Sequence, residues 1–245
     1  MGQKILGAAL MCSLAACGGG AGGASEKPAG AAGSNGPAVP DASADRRPVV
    51  LFFGTSLTAG LGLDQEQAYP ALIQRKIDSA GLKYRAVNAG VSGETSAAGL
   101  RRIDWILQQR VAVLVLELGA NDALRGLELA AARANLQEIV DRTHARYPNV
   151  KIVVAGMQAP PNLGRRYTRE FQDMFVNLAR TNGAALIPFL LAGVAGVDSL
   201  NQRDGIHPNV VGERIVANNV WKVLEPMLRE KGEGRGTPLV RPGSS

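Results

Sequence analysis

Pro48-Val49-Val50-Leu51-Phe52-Phe53-Gly54-Thr55-Ser56-Leu57 decides the fold: an apolar run stops at a small-residue turn that carries a serine. Apolar residues without polar alternation predict a strand buried on both faces, as in a parallel sheet flanked by helices. Ser56 then falls just past the strand's carboxyl end, where ligands bind in open α/β sheets, and its hydroxyl is a candidate nucleophile. Taken alone, the same serine reads more simply as a helix cap or turn former.

Outward from that stretch, strand and helix patterns alternate. Apolar residues at helical spacing predict a helix over 68–77 that stops near Gly81, and further helices over 95–109, 129–147, 166–182 and 210–231. Between them, 84–89, 111–118, 151–156 and 185–189 read as strands. Such alternation predicts an α/β domain, a parallel sheet of about five strands wrapped on both faces. Right-handed crossovers gather the strand-to-helix loops at one end.

Chemistry is sought in those loops. The second strand is followed by Asn88-Ala89-Gly90-Val91-Ser92-Gly93-Glu94-Thr95, whose glycines let backbone N–H groups approach a ligand. Past the third comes Gly119-Ala120-Asn121-Asp122, and Asn121 offers a side-chain amide donor. Gly93 and Asn121 each also fit as turn residues. The chain has two histidines. His144 lies near the end of a polar helical stretch and reads as a solvated side chain. His207 lies in Asp204-Gly205-Ile206-His207-Pro208-Asn209, where an acid three residues earlier can hold one imidazole nitrogen while the other faces a hydroxyl. Ser56, His207 and Asp204 supply a nucleophile, its base and the base's orienter; the Ser56 N–H, the Gly93 N–H and the Asn121 amide supply donors for an oxyanion.

Gly54-Thr55-Ser56-Leu57, Gly93, Gly119-Ala120-Asn121-Asp122 and Asp204-Gly205-Ile206-His207-Pro208 together resemble, in order and approximate spacing, the blocks of the SGNH or GDSL-like hydrolases. The resemblance runs from about Val49 to Leu228. It is nearest the branch called thioesterase I, lysophospholipase L1 or arylesterase, through Ala68-Tyr69-Pro70, Asn121-Asp122-Ala123-Leu124-Arg125-Gly126, Ala159-Pro160-Pro161-Asn162 and Val220-Trp221. It implies a flavodoxin-like three-layer αβα sandwich, no metal or organic cofactor, and ester hydrolysis through an acyl-serine intermediate. Carried onto this chain, it makes Ser56 the nucleophile, His207 the base, Asp204 its orienter, and Ser56, Gly93 and Asn121 the oxyanion hole. One position departs: Thr55 stands where the family usually has Asp. Threonine keeps a hydrogen-bonding group and loses the charge, which bears on the stiffness of the nucleophile loop more than on the reaction type. The competing class is a non-catalytic lipoprotein that binds an acyl or sugar ligand, which would need none of this proton chemistry.

At the front of the chain, Lys4 precedes an apolar run from Ile5 to Ala16, too short for the roughly 20 residues of a membrane-spanning helix. Residues 1–16 read as a secretion signal, and Leu14-Ala15-Ala16-Cys17 resembles the lipobox of bacterial lipoproteins. That resemblance implies a lipidated Cys17 and a cell-envelope protein anchored to a membrane, on its periplasmic face. Cys12 leaves with the signal, so no internal disulfide is expected. From Cys17 to Arg47 a Gly, Ala, Ser and Pro-rich stretch reads as a flexible tether with a reach on the order of 30 Å. The hydrolase domain is expected over 48–231 and a disordered tail over 232–245. With 46% hydrophobic and 20% charged residues, 245 residues suffice for one such domain with a full core. A formal charge of +6 is spread among both signs, and no nucleic-acid motif accompanies it, so no nucleic-acid partner is expected. The oligomeric state is left open by the sequence.

Overall fold

Five parallel strands form one sheet in the order β2-β1-β3-β4-β5. They are β1 (Val49–Gly54), β2 (Arg85–Asn88), β3 (Val111–Glu117), β4 (Lys151–Ala155) and β5 (Ala185–Ile187). The computed structural model describes residues 45–230. The expected signal segment 1–16, Cys17, most of the expected tether and the expected 232–245 tail lie outside the described residues. Arg47 donates to the Tyr84 carbonyl at 3.3 Å and pairs with Asp45, so contacts with the domain begin before the expected boundary at Pro48.

Seven α-helices are described: α1 (Ser56–Ala59), α2 (Tyr69–Ser79), α3 (Ser96–Ile106), α4 (Ala120–Leu124), α5 (Leu129–Arg146), α6 (Arg165–Thr181) and α7 (Val210–Arg229). Two of them, α2 and α7, pack together on one face of the sheet, while α3, α5 and α6 pack in series on the other. The result is the flavodoxin-like sandwich expected. β1 shows why its sequence lacks alternation, since all six of its residues are buried. Phe52 meets Tyr69 of α2 edge-on at 5.5 Å, and the adjacent Phe53 lies under the Arg102 guanidinium of α3 at 4.3 Å. Successive side chains of a strand point to opposite faces, so each phenyl ring fills a different layer.

From β1 the chain steps to β2 on one side and then crosses to β3 on the other. That reversal makes a topological switch point between β1 and β3, with a crevice outside their carboxyl ends. Gly54 of β1 lies opposite Glu117 of β3 at this edge.

Candidate active site

Ser56 opens α1 one residue beyond the end of β1, with Thr55 between them, so the strand delivers the hydroxyl and the first helical turn fixes it. From the other end of the chain, the loop before α7 brings His207. Its Nε2 lies 2.8 Å from Ser56 Oγ, and its Nδ1 lies 2.6 Å from Asp204 Oδ2. An ionised carboxylate can only accept, so Nδ1 carries the ring proton and Nε2 is left to accept from the serine. Asp204 Oδ1 accepts from the backbone N–H groups of His207 (3.0 Å) and Ile206 (2.9 Å). These bonds hold the Asp204 carboxyl down at about 2, the His207 N–H foremost, then its imidazole and the Ile206 N–H. The loop is anchored beyond Pro208 by Asn209, whose side chain caps α7 by accepting from Val211 and Gly212.

Gly93 and Asn121 border the same cleft as Ser56 and His207. Gly93 has φ of 76°, a left-handed conformation that favours glycine. Asn121 lies in the first turn of α4 and donates one amide hydrogen to the Glu94 carbonyl at 3.0 Å. An NH₂ group has two hydrogens, so one remains for a ligand. The two loops are tied again where Arg125 donates to the Gly93 carbonyl at 2.7 Å. All five side chains and backbone positions singled out in the sequence therefore meet at one mouth. Away from it, His144 sits in the last turn of α5.

A cleft of about 600 Å³ opens over Ser56. Leu57, Leu61, Leu124, Met157, Phe189 and Leu191 give it a largely apolar wall. Among the described residues, no group of three or more His, Cys, Asp or Glu side chains is arranged to hold a metal ion. What the cleft can do follows from its parts: move a proton off a hydroxyl, stabilise an anion beside it, and surround an apolar chain.

Sequence reasoning missed the groups beneath Ser56. Glu117, the last residue of β3, is fully buried and accepts from the Thr55 N–H at 2.7 Å and from the Thr58 hydroxyl at 2.8 Å. Thr55 Oγ1 lies 3.0 and 3.1 Å from its two oxygens. Threonine at 55 thus donates to a buried carboxylate that an aspartate there would confront with like charge. The available signal was a single acid inside the apolar run Val111–Leu118.

A serine, imidazole and carboxylate in series at the switch point of a five-stranded parallel sheet define the class, a serine hydrolase on an αβα sandwich. Residues 52–215 match the GDSL-like Lipase/Acylhydrolase family. The chain belongs to that family, and it is an ester hydrolase. Esterase TesA of Pseudomonas aeruginosa is 41% identical over 180 residues, spanning 73% of this chain and 89% of that protein. Thioesterase 1/protease 1/lysophospholipase L1 of Escherichia coli K12 is 35% identical over 180 residues, spanning 73% and 84%. Among solved structures, the psychrotrophic esterase EstA from Pseudoalteromonas, inhibited by monoethylphosphonate, is 32% identical with a TM-score of 0.69, covering 74% of this chain and 98% of that one. This kinship favours hydrolysis over the binding-only alternative.

Proposed function

We propose that the chain hydrolyses short to medium acyl carboxylic esters, among them aryl and alkyl esters, lysophospholipids and thioesters, through an acyl-serine intermediate. The observation that carries this is the unbroken relay from Ser56 Oγ to His207 Nε2 and from His207 Nδ1 to Asp204. As Ser56 Oγ attacks the carbonyl carbon, His207 takes its proton, and Asp204 stabilises the imidazolium. The developing oxyanion meets the Ser56 and Gly93 N–H groups and the Asn121 amide. Collapse breaks the ester bond, and His207 returns the proton to the departing alcohol. Water then attacks the acyl-serine with the same base, releasing the acid and restoring the hydroxyl. An apolar wall discriminates only about 1–3 kcal/mol per methylene, which supports a broad acyl range. So do the names of the relatives, which span esterase, thioesterase and lysophospholipase.

Turnover of p-nitrophenyl acetate and butyrate by the purified protein tests this reading. The expected result is hydrolysis that Ser56→Ala abolishes with little change in thermal stability; retention of more than a few per cent by that variant overturns the nucleophile. We propose further that Cys17 is lipidated and holds the domain at a bacterial envelope membrane by the 18–47 tether, on the support of Leu14-Ala15-Ala16-Cys17. Several acyl chains are needed for stable anchoring, so Cys17→Ala should leave the membrane fraction, and its retention there after a salt wash counts against the lipid.

A further inference from the structure

A carboxylate at the depth of Glu117 costs several kcal/mol unless its oxygens are filled. Here every donor that fills them comes from the nucleophile turn: the Thr55 N–H and hydroxyl from the residue before Ser56, and the Thr58 hydroxyl from two residues after it. Thr58 in turn lies 2.8 Å from the Tyr69 hydroxyl of α2. The backbone of β1 is shaped around this carboxylate as well. A Cβ added at Gly54 would overlap both Thr58 Oγ1 and Glu117 Oε2, so the glycine before Thr55 makes the room that the acid occupies.

We propose that Glu117 is a positioning residue of the reaction: as a carboxylate it clamps residues 55–58 from beneath, holding the Ser56 hydroxyl against His207 and its N–H toward the oxyanion. This rests on Ser56 being the nucleophile. The clamp depends on charge state. Burial pushes the Glu117 carboxyl up to about 7, against the hydrogen bonds from the Thr55 N–H and Thr58 and Thr55 hydroxyls. The titratable groups that face it are Tyr69 from α2, which burial raises well above its ordinary value, and Glu213 from α7, which burial raises to about 8 while it accepts the Tyr69 N–H at 2.7 Å. Neither supplies a positive charge to keep Glu117 ionised. A backbone N–H can only donate, so a proton on Oε2 takes away the acceptor that Thr55 uses. Loss of the clamp displaces the hydroxyl from its line with His207, and misplacement on the order of 1 Å costs about 10²-fold in rate.

Glu117 becoming charged then adds a second ionisation to the acid side of the activity profile, beside the one that any general base contributes. The logarithm of kcat/KM on p-nitrophenyl butyrate should climb with a slope above 1 over the one or two pH units below the Glu117 titration, where the clamp is lost as well as the base. Glu117→Gln, which keeps the shape and removes the charge, should lower kcat roughly 10- to 100-fold with KM little changed, and should reduce the slope to 1. Thr58→Val removes one hydrogen bond to the charged form, raises Glu117 further, and should move the acid limb to higher pH. Wild-type kcat and slope in Glu117→Gln overturn the proposal. If that variant fails to fold, Thr58→Val decides, and an unmoved acid limb overturns it. A p-nitrophenyl ethylphosphonate separates this from the parent reading: Ser56 Oγ bonds to phosphorus as p-nitrophenolate leaves, and the protein gains the phosphonyl mass. Labelling of Ser56→Ala at the wild-type rate refutes the nucleophile itself. An unlabelled Ser56→Ala beside a Glu117→Gln labelled as fast as wild type keeps the nucleophile and refutes the clamp.

Discussion

On the proposed reading His207 performs two tasks, because its two nitrogens meet different partners, an acceptor-only carboxylate and a hydroxyl that can donate. Replacing it by alanine should be as damaging to ester turnover as Ser56→Ala, while His144→Ala, at the end of α5, should be silent. Asn121→Ala should lower kcat by about 10²–10³-fold, the cost of one oxyanion donor. A loss confined to KM would make Asn121 a binding residue instead. Ser56, Gly93, Asn121, Asp204 and His207 were legible in the sequence because each falls in a loop at a strand's end or before a helix, where polar and small residues stand out against apolar flanks. Glu117 was not. Its partners Thr55 and Thr58 lie far back along the chain, no local spacing joins them to it, and a lone acid in an apolar run reads as part of the strand.

At the scale of elements, β1 and α1 behave as one device, a strand that ends in a glycine and a helix that begins with the serine. Gly90, in the loop after β2, supports it from the side, since a Cβ there would collide with the Ala59 nitrogen and the Thr55 carbonyl. Gly54→Ala should therefore destabilise the domain by about 1–3 kcal/mol, the usual penalty of overpacking, and should lower activity beyond what the fraction folded accounts for. Urea midpoints alongside turnover under fully folded conditions check both halves; unchanged specific activity would show that the turn tolerates the methyl group. The five strands and five long helices follow their sequence patterns. Short elements do not, because four or five residues, as in α1 and α4, are too few for a helical period to emerge. Ends also shift. The last strand was expected to reach Phe189 and stops at Ile187, before Pro188, which has no N–H to give the ladder. The helix expected over 95–109 closes at Ile106.

For the molecule as a whole, activity and stability respond to pH in opposite directions. Glu117 and Glu213 are raised from 4.5 to about 7 and about 8. Between about 4.5 and 8 the folded chain keeps protons that the unfolded chain has lost, so these groups make stability fall as pH rises through that window. Asp204 has the contrary sign: lowered from 3.8 to about 2, it contributes above 3.8 and its contribution is lost as pH falls toward 2. It is substantially exposed, so its part is small. The melting temperature should decline from pH 5 to pH 8.5, and Glu213→Gln should flatten the decline. A melting temperature that climbs throughout that range would show that neither acid holds its proton in the fold. Exposed ion pairs such as Arg166 with Glu170 add little either way.

The hydroxyl and its base lie 151 residues apart in the chain, and the base sits on the last loop before the last described helix. A chain that ends before residue 207 therefore lacks the partner that Ser56 Oγ meets, and its serine is left an unactivated alcohol. On the proposed reading, hydrolytic power needs both ends of the domain in place together, so a fragment holding only the serine half should be chemically silent.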